Sequence, residues 1–344
     1  MVAWVPVAPE PDPTGAGDTA VDFVPASPEA LAQLTQLEHL RSRARTYAAK
    51  ARAAATTRAY DTDWREFTTW AGHKGGLVTL PADPLTVICY IVEMAGHGAK
   101  TSTIGRRLVS IGERHRAARL PSPTEDPELQ AVWAGIRHEL GTAPEVAEPI
   151  GVELLRAMIA KLPATSRGER DRALLLLGFA AALRRSELVA LDGADVAERR
   201  EGLVVNIRRS KTDQEGAGRR VGVPYGSNPT TCPVRSLDAW RQAARINDGP
   251  LFLTFDRRGR LTPDRLHPSA VNRIVQRSVA ATGVSPIGYS AHSLRAGLAT
   301  AAAAAGVSER AIMAQTGHRS LTVARGYIRE GSLFRENAAA QVGL

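Results

Sequence analysis

From residue 56 to residue 140, large apolar side chains recur at intervals of three and four with short polar breaks between them, the period of amphipathic helices. Thr56-Thr57 opens a helix whose Tyr60, Trp64, Phe67 and Trp70 form one stripe, the pattern of a core-facing helix. Asp83-Pro84 starts a second helix through Leu85, Val87, Ile88, Ile91 and Met94. Lys100-Thr101-Ser102-Thr103 caps a third through Ile104, Leu108 and Ile111, and Pro127 begins a fourth through Leu129, Val132 and Ile136. Upstream, Ser27-Pro28-Glu29 offers an N-cap, a proline at the first helical position and an acid in the first turn, ahead of Leu31, Leu34, Leu37 and Leu40. These signals predict a helical domain over residues 28–140.

The periodicity stops at 141–149, where Gly141, Pro144, Pro149, Glu145 and Glu148 mark an exposed linker and a domain boundary. Beyond it the pattern predicts helices near 151–162 and 168–190, then a change of period. Leu203, Val205 and Ile207 alternate as a strand, Val221 and Val223 as its return, with the polar glycine-rich turn Gln214–Gly218 between them, so 202–224 is expected to be a β-hairpin. Helices resume near 234–246, 268–281, 292–305, 308–315 and 320–327, and the alanines from Ala299 to Ala305 read as close helix packing. Residues 150–344 are therefore expected to form a second domain, and the fold class is mainly α with a small antiparallel β-sheet. Residues 1–27 hold Pro6, Pro9, Pro11, Pro13 and Pro25 with few large apolar groups, and a disordered tail is expected there.

A length of 344 residues suits two domains plus a tail. The formal charge of +9 understates the basic character of the folded part. Residues 1–40 carry six acids and no Lys or Arg, so the remainder holds 44 basic against 29 acidic groups, a net of +15. Such an excess favours a polyanionic partner, nucleic acid first. The two cysteines, Cys89 and Cys232, lie far apart with no metal-ligand partner nearby, which fits a reducing cytoplasm and argues against a disulfide framework or a zinc site. No apolar run reaches the roughly 18 residues needed to span a bilayer, and no basic segment followed by an apolar core marks a secretory signal.

The chemistry-bearing residues come in order along the second domain. Arg184 and Glu187, three apart, are expected on one helical face, and Leu188 and Leu191 follow. Ser210-Lys211-Thr212 sits near the hairpin tip, flanked by Arg208, Arg209, Arg219 and Arg220. His292-Ser293-Leu294-Arg295 places a histidine and an arginine one helical turn apart, able to converge on one phosphate. Gly317-His318 follows, and Tyr327 stands nine positions after His318. Each alone has an ordinary reading: a solvated ion pair, a solvated lysine, a half-buried core tyrosine. Together they combine phosphate-holding cations, a proton handler and a hydroxyl nucleophile, without the carboxylates that a catalytic Mg²⁺ needs.

This ordered set resembles the signature of the tyrosine recombinases, the phage integrase family, over residues 30–344, and is most similar to its Cre-like two-domain branch. The resemblance implies a helical core-binding domain followed by a mixed α/β catalytic domain of the tyrosine recombinase/type IB topoisomerase type. It implies that Tyr327 attacks a DNA phosphate to form a 3′-phosphotyrosyl intermediate. Arg184 and Arg295 would clamp the non-bridging oxygens with His318, and Lys211 would donate to the 5′-oxygen. His292 would act near the proton of Tyr327 or the phosphate, while Glu187 would orient its neighbours. No cofactor, metal or ATP is implied. The expected partner is double-stranded DNA with inverted-repeat core sites, bound by a tetramer that passes through a Holliday junction in a bacterial, nucleoid-associated, cytoplasmic setting. Leu333, Phe334, Ala338 and Val342 would form a C-terminal tail helix docking on a neighbouring protomer.

Two other readings remain open on the sequence: a type IB topoisomerase-like relaxing enzyme and a catalytically silent DNA-binding relative. Candidate DNA contacts are Lys100, Thr101, Thr103, Arg106 and Arg107 on one helix, whose N-terminal donors suit phosphates, together with Thr56, Thr57 and Arg58, and Arg208 and Arg209 beside the hairpin.

Overall fold

The computed structural model describes residues 4–6, 23–25, 27–50, 54–143, 147–210, 213, 218–318 and 320–332. The chain divides into two compact units, Met1–Ala143 and Pro144–Leu344. In the first, a short strand β1 (Trp4–Pro6) pairs antiparallel with β2 (Phe23–Pro25), within the segment whose prolines suggest disorder. The helices are α1 (Pro28–Lys50), α2 (Ala54–His73), α3 (Pro84–Gly96), α4 (Thr101–Ala117) and α5 (Pro127–Leu140). Asp83 and Asp126 cap α3 and α5 by accepting backbone N–H groups, each with a proline at the first helical position. The apolar stripes meet in a core of Phe67, Val87, Tyr90, Ile91, Ile104, Leu108, Ile111 and Leu129.

The second unit is organised around α7 (Ser166–Ala180), whose Leu174, Leu175, Leu176 and Leu177 are all buried, so its second half is apolar on every side and takes the centre of the domain. It follows α6 (Val152–Ala160) and packs against α9 (Pro233–Ala244) and α11 (Ala291–Ala304). Between α8 (Arg185–Ala190) and α9 lies a three-stranded antiparallel sheet of β3 (Val196–Arg199), β4 (Gly202–Ile207) and β5 (Arg219–Pro224), with β4 central. Leu203 faces Val223 and Val205 faces Val221 across the β4–β5 pair. A second hairpin, β6 (Leu253–Phe255) with β7 (Leu261–Arg265), precedes α10 (Pro268–Ala280). The chain then runs through α11, α12 (Glu309–Thr316) and α13 (Leu321–Ser332).

Two features of this unit position the site. The helix expected over 168–190 is in fact two helices, α7 and α8, joined by a turn in which Ala182 adopts a left-handed φ of 49°. Gly297 of α11 lies so close to the extended segment before α6 that an added Cβ would stand 2.0 Å from the Ile150 carbonyl oxygen. The amide of Ile150 donates to the Ser293 carbonyl nearby, at 3.0 Å. Only glycine permits that approach, which fixes α11 against the start of the domain.

Candidate active site

The turn after α7 builds half of the site. Arg184 is the N-cap of α8 in extended conformation, and Glu187, at the third helical position, reaches back to it. Glu187 accepts from the Arg184 backbone amide at 3.0 Å and from its guanidinium at 2.6 Å. The expectation that Arg184 and Glu187 share a face within one continuous helix is thus corrected: the helix breaks before Arg184, and the carboxylate both caps α8 and orients the arginine. The carbonyl of Ala182, in the same turn, accepts from Nη1 of Arg295 at 2.8 Å.

Helix α11 supplies the other half. Ser290 caps it by accepting from the His292 amide, and Ser293 answers by accepting from the Ser290 amide. One turn apart, His292 and Arg295 then face the Arg184 turn. Arg295 is only 1% exposed, and its Nε and Nη2 have no hydrogen-bond partner among the described residues. Burial, and then Arg184 beside it, pushes its pKa down to about 10. A buried guanidinium with idle donors, next to other cations, is a seat for an anion.

Helix α13 packs along the alanine face of α11, with Ala299 and Ala303 fully packed and Tyr327 and Ile328 against them. This places the Tyr327 hydroxyl 2.6 Å from Nε2 of His292. His318, in the connection from α12, stacks on the Tyr327 ring with centroids 5.6 Å apart and planes 11° from parallel. Desolvation in the site, followed by Arg295 and Arg184, lowers the His292 pKa. The same causes, burial first, push His318 down to about 4. At neutral pH both rings are therefore neutral, which suits His292 to accept the phenol proton.

Arg219, first residue of β5, completes the charge pattern and was legible only as part of a basic flank. Its guanidinium donates to the Gln315 carbonyl at 3.0 Å and to Glu187 at 3.4 Å. It lies beneath Gly317, where an added Cβ would come within 2.6 Å of its Nε. A signal existed in the sequence: Arg219, Val221 and Val223 share one face of the strand, and that face is inward. Three arginines, 184, 219 and 295, thus lie around the carboxylate of Glu187.

The structure brings together Arg184, Glu187, His292, Arg295, His318 and Tyr327. Lys211 lies outside the described residues, as do the tail positions Leu333, Phe334, Ala338 and Val342. Of the candidate DNA contacts, Thr57, Arg58, Lys100 and Arg209 are exposed and Thr56 and Thr103 partly so. Thr101 donates its hydroxyl to the Gly141 carbonyl. Arg106 forms a forked pair with buried Asp63, Arg107 bonds Glu66 and Tyr90, and Arg208 pairs with Asp192 and Asp195. These three arginines therefore have acidic partners within the fold that a phosphate would have to compete with. Among the described residues, no helix is long and apolar enough to cross a membrane.

The phage integrase family matches residues 152–332 of the chain. An integrase/recombinase xerD homolog of Selenomonas ruminantium is 36% identical over 312 residues, covering 89% of this chain and 91% of that protein. Recombinase cre of Escherichia phage P1 is 25% identical over 271 residues, 72% of this chain and 76% of its own. Among solved structures, a lambda integrase dimer bound to a COC′ core site superposes with a TM-score of 0.57 at 14% identity, covering 85% of this chain and 94% of that one. XerH site-specific recombinase bound to palindromic difH substrate gives 0.55 at 16%, covering 76% and 71%. The structural likenesses show a shared fold.

Proposed function

The chain belongs to the phage integrase family, the tyrosine recombinases, and from that premise we propose that it is a site-specific DNA recombinase in which Tyr327 is the nucleophile. The observation that carries the reading is the 2.6 Å contact between the Tyr327 hydroxyl and His292, beside a fully buried Arg295 with two idle donor atoms. His292 takes the phenol proton as the oxygen attacks the scissile phosphate. The phosphorus–O5′ bond breaks, Tyr327 becomes joined to the 3′-phosphate, and the 5′-oxygen leaves with a proton assigned to Lys211. Arg184 and Arg295 neutralise the non-bridging oxygens, with His318 beside them, where fixed donors lower the barrier more than mobile water does.

The tyrosyl ester conserves the phosphodiester's energy, so rejoining to a second 5′-hydroxyl needs neither ATP nor a metal. On this reading the two units form a helical core-binding domain (28–140) and a catalytic domain (150–344), joined by a linker at 141–149. Four protomers bound to paired inverted-repeat core sites pass through a Holliday junction. The apolar tail after Tyr327 then docks on a neighbour; an apolar cavity of about 500 Å³, lined in part by Leu155, Phe179, Leu298, Ala302 and Ile312, supports that assignment.

The test is Tyr327→Phe, assayed on duplex DNA carrying the chain's own core site. It is expected to keep DNA affinity within a few-fold and to lose all covalent protein–DNA adducts, with wild-type adduct formation unchanged by EDTA. Adducts that persist in the variant would remove Tyr327 from the role, and EDTA-sensitive cleavage would point to a metal nuclease.

A further inference from the structure

Thr316 is the last residue of α12 and is completely buried. Its Oγ1 lies 2.8 Å from the Ile312 carbonyl oxygen and 2.9 Å from Nδ1 of His318. Two oxygens approach to 2.8 Å only with a proton between them, and the carbonyl brings none, so the hydroxyl proton lies toward Ile312. A threonine hydroxyl has one proton. With it committed, Oγ1 can only accept from the ring, and the proton of the neutral imidazole must sit on Nδ1. The other nitrogen, Nε2, is then a lone pair.

We propose that Thr316 is a positioning residue: it holds His318 in the Nδ1–H tautomer, so the ring can donate to the scissile phosphate through Nε2 only after taking up a proton. This rests on the reading that His318 faces the phosphate. A neutral ring so oriented presents a lone pair to a phosphate oxygen, which repels it; the imidazolium presents a donor. The groups around His318 set when that proton arrives. Arg184 faces it from the α8 turn, Arg219 from β5, His292 and Arg295 from α11 and Tyr327 from α13, and buried Asp213, between β4 and β5, lines the same cavity as Arg219 and His318. Desolvation first, and then the neighbouring arginines and His292, hold the ring neutral in the DNA-free protein, in keeping with its low pKa. A phosphodiester seated among them offsets part of that positive field and gives the imidazolium an anionic partner, so DNA engagement favours proton uptake.

The experiment pairs two readouts on the full chain with Thr316→Val, which is isosteric and lacks the hydroxyl, and Thr316→Ser, which restores it. Nitrogen NMR of ¹⁵N-histidine-labelled, DNA-free protein reports the His318 tautomer by itself. Single-turnover cleavage of a nicked suicide duplex from pH 6 to pH 9 reports the consequence. In the wild type, Nδ1 is expected to be protonated at neutral pH, and cleavage to fall by up to about 10²-fold along the alkaline limb as the His318 donor is lost. Thr316→Val is expected to release the Nε2–H tautomer and flatten that limb, and Thr316→Ser to restore both. An Nε2–H tautomer in the wild type would overturn the proposal. So would superimposable pH profiles for wild type and Thr316→Val, or an equal loss at every pH in both variants, which assigns Thr316 to packing. A wild type that forms no adduct at any pH would instead overturn the recombinase reading, while the NMR arm still judges the tautomer.

Discussion

Replacing Arg295 with methionine is expected to make the DNA-free chain more stable while destroying cleavage. The guanidinium is 1% exposed, bonds only the Ala182 carbonyl, and leaves Nε and Nη2 without partners among the described residues. Each unpaired buried donor costs about 1–3 kcal/mol, while repulsion from Arg184 and Arg219 is offset in part by the Glu187 carboxylate. Methionine fills similar length with no polar atom, at the cost of one unpaired carbonyl at Ala182, again about 1–3 kcal/mol. The balance favours the variant by about 1–3 kcal/mol, a rise of several degrees in Tm for a domain of this size at ~2–4 °C per kcal/mol. Calorimetry without DNA measures that rise, and single-turnover cleavage is expected to fall by at least ~10²–10³-fold. Adding core-site DNA should stabilise the wild type more than the variant, because the phosphate satisfies donors that only the wild type has. A variant Tm below the wild type, or cleavage within tenfold of it, would refute the reasoning that Arg295 is held in a costly state for an incoming anion.

Gly317→Ala tests the seat of Arg219. Gly317 has a left-handed φ of 66°, and an added Cβ would press on the Arg219 guanidinium at 2.6–3.0 Å. Stability is expected to fall by about 1–2 kcal/mol, and cleavage to fall about tenfold or more with DNA affinity nearly unchanged; unaltered melting and cleavage would show that Arg219 yields freely. Acid titration tests the neutrality of His318, whose pKa is about 4 in the fold against about 6.5 unfolded. The unfolded chain takes up the proton first, so stability declines as pH falls from about 6.5 toward 4. The contribution of His318 is about 2 kcal/mol after solvent screening. His318→Gln is expected to flatten that decline in urea titrations; an unchanged slope would assign the decline to other groups.

Most of the site was legible because its residues carry distinctive chemistry at fixed spacings: His292 and Arg295 one turn apart, His318 after a glycine, Tyr327 nine positions on. What the sequence hid is conformational. Nothing in Ala181-Ala182-Leu183 signals a break, since neither glycine nor proline marks it, so one long helix was the natural expectation where α7 and α8 are separate. That break turns Glu187 from a surface partner into a buried cap for Arg184. The strands β3, β6 and β7 are too short or too polar for an alternating pattern to stand out, as the exposed Leu261–Arg265 shows. Arg219 could not be separated from Arg208, Arg209 and Arg220 by composition; only the inward register of β5 distinguishes it. The tautomer imposed by Thr316 depends on two distances that no linear pattern encodes.

The central claim is that Tyr327 is joined to DNA through a 3′-phosphate, and mass spectrometry of the trapped complex tests it most directly. After cleavage of a nicked core-site duplex, nuclease trimming and tryptic digestion, the account predicts a residual 3′-nucleotide on the peptide Gly326-Tyr327-Ile328-Arg329, with Tyr327 as the modified residue. A nucleotide on any other side chain, or a 5′-phosphate linkage at Tyr327, would contradict it.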